Sequence, residues 1–120
     1  MRTREEKIKP VGSGNFFLDM GRSPERAALL SLKSYLFMQL TDAANAAIEG
    51  GKTQQQLAKE LSTTQPILSN ILNGKMSSFT LDRILSLLLK LRRDVYVYAK
   101  DAPAKRQAEV FVGRTPLRAG

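Results

Sequence analysis

Residues 52–75 read KTQQQLAKELSTTQPILSNILNGK, and this stretch dictates two short helices with a tight break between them. Thr53 followed three residues later by Gln56 is a capping box, in which side chain and backbone satisfy two orphan donors reciprocally, so a helix begins there. Leu57, Ala58 and Leu61 fall on one face of it. Ser62 and Thr63 interrupt the apolar periodicity. Thr64 then offers a second N-cap, and Pro66 sits in the first turn, where no intrahelical N–H is needed. The second helix therefore starts at Gln65. Its Leu68, Ile71 and Leu72, spaced i, i+3 and i+4, point inward, and Asn73-Gly74 is a C-terminal stop. The opposite face carries Gln65, Pro66, Ser69 and Asn70, short amides and a hydroxyl where a merely solvated helix shows Lys and Glu. An amide presents donor and acceptor together, which matches the N6 and N7 edge of adenine in a major groove. The plainer alternative is a helical hairpin with a polar outer face.

The string resembles the helix-turn-helix of the phage-repressor-like (XRE) family of bacterial DNA-binding proteins. Ala58 fits the small residue where the two helices cross, and Ser69 and the closing Asn73-Gly74 fit as well. Two positions depart from the pattern: Ser62 stands where the turn usually has Gly, and Thr63 where an apolar residue usually plugs the core. The resemblance implies that Gln54 bonds a phosphate from the start of the first helix. It also implies that Gln65, Ile67, Ser69 and Asn70 face bases, Ile67 against a thymine methyl.

A length of 120 residues suits one small domain with extra arms, and 42% hydrophobic residues suffice for a compact core. The formal charge of +8 and a pI near 10.1 favour an anionic partner, double-stranded DNA rather than a membrane surface. No apolar run is long enough to span a bilayer, and the charged N-terminus lacks a signal core, so a cytoplasmic location is expected. There is no Cys and no His, which removes disulfides, thiolate metal sites and the commonest general base. The carboxylates are scattered and no Gly-rich loop joins a strand to a helix. An enzyme, a cofactor and a metal are therefore not expected.

Residues 1–14 are poor in apolar side chains and carry Pro10, Gly12 and Gly14, which predicts an irregular arm. Its Arg2, Arg4, Lys7 and Lys9 are either solvated charge or phosphate-seeking. Phe16, Phe17, Leu18 and Met20 are too apolar to stay in water and should fold back or meet a partner. Asn15-Phe16 and Leu18-Asp19-Met20-Gly21 also resemble the segment preceding the helix-turn-helix in a subset of XRE proteins, many of them antitoxins of the HigA type. The likeness then reaches from about residue 12 to residue 100.

Ser23 and Pro24 open the longest helix, with Glu25 set against its dipole, and Gly50-Gly51 should end it. Leu29, Leu32, Leu36, Leu40, Ala43 and Ala47 make an inward stripe, while Leu30, Phe37, Met38 and Ala44 add spare apolar surface. The N-terminal Phe16 to Met20 segment or a partner protein could cover it. Lys52, just before the Thr53 cap, is placed to join a helix N-terminus in gripping a phosphate. Lys75 opens a polar loop suited to the DNA backbone. Thr80 caps a further helix, stapled by Phe79 and Ile84, with an apolar face of Leu81, Leu85, Leu88 and Leu91 and extra Leu87 and Leu89.

After Arg92-Arg93 the period becomes two. DVYVYAK alternates Val95, Val97 and Ala99 with Tyr96 and Tyr98, which predicts a strand, and Glu109 to Val112 is a second β-prone stretch. A lone hairpin needs helices beneath it or a twofold mate. Dimerisation through Val95, Tyr96, Val97 and Tyr98 is expected, since a dimer sets two reading helices about one DNA turn apart. Packing of the hairpin on its own domain is the alternative.

The expected fold is mainly α: a repressor-like helix-turn-helix bundle of four to five helices with a C-terminal β-hairpin or strand. The expected layout is an arm over 1–22, a DNA-binding domain over 23–92 with its helix-turn-helix at 53–74, a dimerisation element over 93–113 and a tail over 114–120. The expected function is a homodimeric, sequence-specific repressor that reads bases with Gln65, Ile67, Ser69 and Asn70. Phosphates would be held by Lys52, Thr53, Gln54, Thr64 and Lys75. The second reading is an antitoxin that neutralises a small toxin protein and regulates its own operon.

Overall fold

The computed structural model describes residues 23–113 together with the backbone of residues 8–10. It is mainly helical, in the order β1 (Ile8–Pro10), α1 (Pro24–Glu49), α2 (Gln54–Glu60), α3 (Gln65–Leu72), α4 (Leu81–Lys90) and β2 (Phe111–Gly113). The chain divides into two compact units, Leu36–Val95 and Met1–Tyr35 with Tyr96–Gly120.

Every helix starts at an encoded cap. Ser23 Oγ accepts from Arg26 N at 3.1 Å, Thr53 and Gln56 complete their capping box at 3.0 and 2.9 Å, and Thr64 and Thr80 accept from Ile67 N and Arg83 N at 3.4 and 3.3 Å. Every helix also ends in a Schellman motif. Lys52, Thr63, Lys75 and Arg93 donate their backbone N–H groups to the carbonyls of Ala47, Ala58, Asn70 and Leu88. The inner bonds run from Gly51 to Ile48, Ser62 to Lys59, Gly74 to Ile71 and Arg92 to Leu89. The motif requires a left-handed residue, and the four φ values are 114° at Gly51, 54° at Ser62, 73° at Gly74 and 65° at Arg92. Two of these positions have glycine and two carry a side chain in a region that disfavours one.

The Leu36–Val95 unit holds nearly all of the buried apolar side chains among the described residues. Leu36, Phe37, Leu40, Ala43 and Ala44 of α1 meet Leu57, Ala58 and Leu61, Leu68 and Ile71 of α3, and Phe79, Ile84, Leu87 and Leu88. Phe37 and Phe79 stack tilted with ring centroids 5.0 Å apart, and the staple of Phe79 and Ile84 is fully inside. In the other unit β1 and β2 pair antiparallel, with Ile8 opposite Gly113, Lys9 opposite Val112 and Pro10 opposite Phe111. Tyr35 Oη donates to Gly113 O at 3.0 Å, which fastens β2 to α1.

Three expectations change. The alternating stretch 95–99 forms no strand, because 111–113 pairs with residues 8–10 instead; the predicted C-terminal hairpin is a single strand, β2, and the arm expected to be irregular contributes β1. Leu29 was placed on the inward stripe yet is 58% exposed, whereas Phe37 and Ala44, assigned to the spare face, are buried. The buried positions change side along α1. At about 100° per residue, Ala27 and Ser31 lie opposite Leu40, so one stripe drawn through the whole helix misplaces its first turns. On α4, Leu87 is core and Leu89 is exposed. The expectations for Arg2, Arg4 and Lys7, for the Phe16 to Met20 segment and for the tail over 114–120 lie outside the described residues.

Candidate nucleic-acid interface

The break between α2 and α3 covers residues 61–64. Leu61 is buried and anchors it, Ser62 turns the chain through its left-handed φ, and Thr63 fills the position beneath the turn. Thr63 Oγ1 is buried and has no hydrogen-bond partner among the described residues, so the site expected to take an apolar plug takes a Thr in its place. Thr64 then caps α3. The turn forms despite both departures because the Schellman bonds of α2 fix the chain path whichever side chain stands there.

α3 is held from both sides. Leu68 and Ile71 are fully buried, and α1 grips its C-terminal end through two polar side chains: Thr41 Oγ1 donates to Ile71 O at 2.8 Å, and Asn45 Nδ2 to Leu72 O at 3.4 Å and Thr41 O at 3.0 Å. Ile71 O also takes the Gly74 N–H and Leu72 O lies in the last turn of α3, so α1 adds side-chain donors at that end while fixing the helix that carries the outer face. Sequence reading passed over Thr41 and Asn45. Their signal is a polar pair at i, i+4, set beside the equally polar Gln39 and Asp42.

Gln65, Pro66 and Ser69 are exposed and Asn70 is half-buried, in one arc of about 140°, with Ile67 half-buried at its edge. Asn73 belongs to the same arc and was read only as a stop. Its Nδ2 donates to Ser69 O at 2.9 Å and Ser69 Oγ at 3.3 Å, bonds that do not use the Ser69 hydroxyl proton or Asn73 Oδ1. α3 contains no acidic residue, so nothing on it repels a phosphate.

The cations differ in their commitments. Lys75 is exposed, and its ammonium pairs with no carboxylate among the described residues. Lys52 instead bonds Glu60 at the far end of α2, with both side chains about half exposed. Such a surface pair is worth ~0.2–1 kcal/mol and yields readily to a stronger anion. Thr53, Gln54 and Thr64 are exposed, the two threonines with their hydroxyl oxygens engaged as caps. Asp82, in the first turn of α4, is held below the usual carboxylate range by the Thr80 hydroxyl, and then by the backbone N–H groups of Asp82 and Arg83. Among the described residues no cluster of His, Cys, Asp or Glu could hold a metal, and no helix is long and apolar enough to cross a membrane.

A family profile described as a helix-turn-helix domain matches residues 16–100, well over half of the chain. The chain belongs to this helix-turn-helix family. A solved structure assigned to the XRE family of transcriptional regulators is similar to it, with 28% sequence identity and a TM-score of 0.51. That likeness covers 73% of this chain and 96% of the other. No curated protein matches. The matched span takes in α1 through α4 of this helix-turn-helix protein, and with them the Thr41 and Asn45 clasp on its second motif helix.

Proposed function

We propose that this helix-turn-helix protein is a sequence-specific regulator of transcription, a repressor that binds double-stranded DNA as a homodimer in the cytoplasm. The observation that carries the reading is the outer face of α3, rigidly seated and presenting Gln65, Ser69, Asn70 and Asn73 with no acidic neighbour on the helix. Gln65 and Asn70 would bond base edges, Ser69 either kind of base, and Ile67 a thymine methyl. Lys75, Gln54, Thr53 and Thr64 would hold phosphates, with Lys52 joining them by exchanging Glu60 for the DNA backbone.

The exposed run of Tyr96, Val97 and Tyr98 supports a dimer, at 62%, 83% and 62% exposure. Among the described residues they have no strand partner, and a second copy of the same stretch offers one. Selection of binding sites from a random duplex pool at physiological salt tests the function. The expected outcome is an enriched palindrome with half-sites about one helical turn apart. Binding without an enriched sequence would contradict base reading.

The exposed Met38 of α1, 61% accessible, favours an antitoxin as a second reading, since it leaves an apolar side chain for a toxin protein. Charge opposes it where that toxin is basic, as this chain is itself +8. Co-purification with the product of the neighbouring gene separates the two readings.

A further inference from the structure

Beyond α4 the main chain runs without partners. The Arg93 N–H closes the C-terminal motif of α4 on Leu88 O, and the next backbone bond runs from Arg106 N to Pro103 O. Between them, over residues 94–102, no backbone N–H or carbonyl has a hydrogen-bond partner among the described residues. The stretch has no regular secondary structure, and every residue in it except the half-buried Val95 is exposed. A row of open donors and acceptors that carries Val and Tyr side chains is a template for strand pairing.

The order of the side chains selects the strand that fits. Residues 93–101 read RDVYVYAKD, and about Val97 each residue complements the one equally far on the other side: Tyr96 with Tyr98, Val95 with Ala99, Asp94 with Lys100 and Arg93 with Asp101. Two copies laid antiparallel with Val97 on the twofold axis therefore set tyrosine beside tyrosine and a carboxylate against a cation at both ends, each pair occurring twice by symmetry. Alternation puts the tyrosines on one face of the ribbon and the valines on the other. Other registers fail on charge. Slipping the antiparallel pairing by one residue sets Arg93 against Lys100 in one direction and Asp94 against Asp101 in the other, and slipping it by two forms no ion pair. A parallel, in-register pair sets every charge against its own kind. The ladder also has ends in the Val97 register, since the Arg93 N–H is already engaged and Pro103, which has no N–H to give, lies opposite Leu91. Only one continuous stretch of each chain takes part.

We infer that residues 93–101 are a self-recognising strand: two copies of this chain pair antiparallel about Val97, and the Arg93 to Asp101 and Asp94 to Lys100 pairs across the axis fix the register and select a second copy over strands of another charge order. This rests on the homodimer reading above and assigns its contact residue by residue. The test is sedimentation equilibrium of the full chain, without DNA, over a concentration series. Lys100→Asp/Asp101→Lys exchanges two exposed neighbours at constant net charge and turns both pairs into like-charge ones, so the homodimer should weaken roughly ten- to a hundredfold. Adding Arg93→Asp/Asp94→Arg to that variant makes both pairs opposite again and should restore the natural dimer, which neither a net-charge effect nor damage to the fold would permit. Unchanged association in the double variant, or no recovery in the quadruple one, overturns the register while the natural chain still dimerises. A natural chain that stays monomeric at every concentration overturns the homodimer reading itself, before any variant is made.

Discussion

The two units of this molecule spend their residues differently. Leu36–Val95 holds a continuous core, three threonine-capped helices and a clasp on α3, with seven Lys and Arg against five Asp and Glu, a formal charge of only +2. The other unit buries only Ala27 and Ser31 to the same degree among its described residues, ties its ends with a three-residue ladder, and carries twelve against six, or +6. Reading a base requires donors and acceptors held within tenths of an ångström, which takes packing. Attracting a polyanion takes only charge, and charge works from a surface with little core. The contrast teaches that core and charge can be concentrated in different parts of one small chain.

The comparison breaks most visibly under truncation. Leu68→Ala, at a fully buried position, should destabilise the fold by about 2–5 kcal/mol in urea unfolding, whereas Val97→Ala should leave the unfolding of a single chain almost unchanged. Equal losses at the two sites would remove the distinction between core and surface. Next in size is Lys75→Gln, which should weaken every duplex alike and flatten the salt slope by about 0.9 per chain, read by anisotropy titrations. Smaller still is a pair of opposite sign. Ser62→Gly should stabilise by about 1 kcal/mol by relieving the left-handed backbone, and Gly74→Ala should destabilise by about as much. Nothing lies within 4 Å of a Cβ added at Gly74, so the penalty there is purely conformational.

The smallest effect belongs to Asp82. Its folded carboxyl titrates below its unfolded value, so its stabilisation is complete above the unfolded pKa and fades as pH falls through the folded one. Asp82→Asn should therefore lose stability near neutrality and be less sensitive to acid than the natural protein, as followed by thermal melts between pH 7 and pH 3.

What could be read from the sequence was local. Thr53 with Gln56, Thr64, Thr80 and Asn73-Gly74 each act over three or four residues, so their caps and stops were legible and the two short helices follow from them. Ser62 was legible as the break only from the lost periodicity and the resemblance, and Arg92 was opaque as a C-terminal stop, because the motif is made by backbone bonds and neither side chain advertises the left-handed φ it adopts. The pairing of residues 8–10 with 111–113 joins segments about a hundred residues apart, and no local pattern encodes the choice of partner. Alternation at 95–99 shows that a stretch can be β-prone, not that an edge is available to it. Leu29 was misplaced because the buried side of α1 changes along its length, which a single helical stripe cannot express. In the candidate interface, Gln65, Ser69 and Asn70 were legible from their chemistry, while Asn73 was hidden by its role as a stop and Thr41 and Asn45 by their distance in sequence.

The most direct test of the central claim is a parallel selection of binding sites by the natural protein and by Gln65→Ala from the same random duplex pool. The account predicts that both enrich the same palindrome, except that the variant loses discrimination at one base pair in each half-site, by about 1–3 kcal/mol. An identical preference at every position would contradict the assignment of the α3 outer face as the surface that reads DNA.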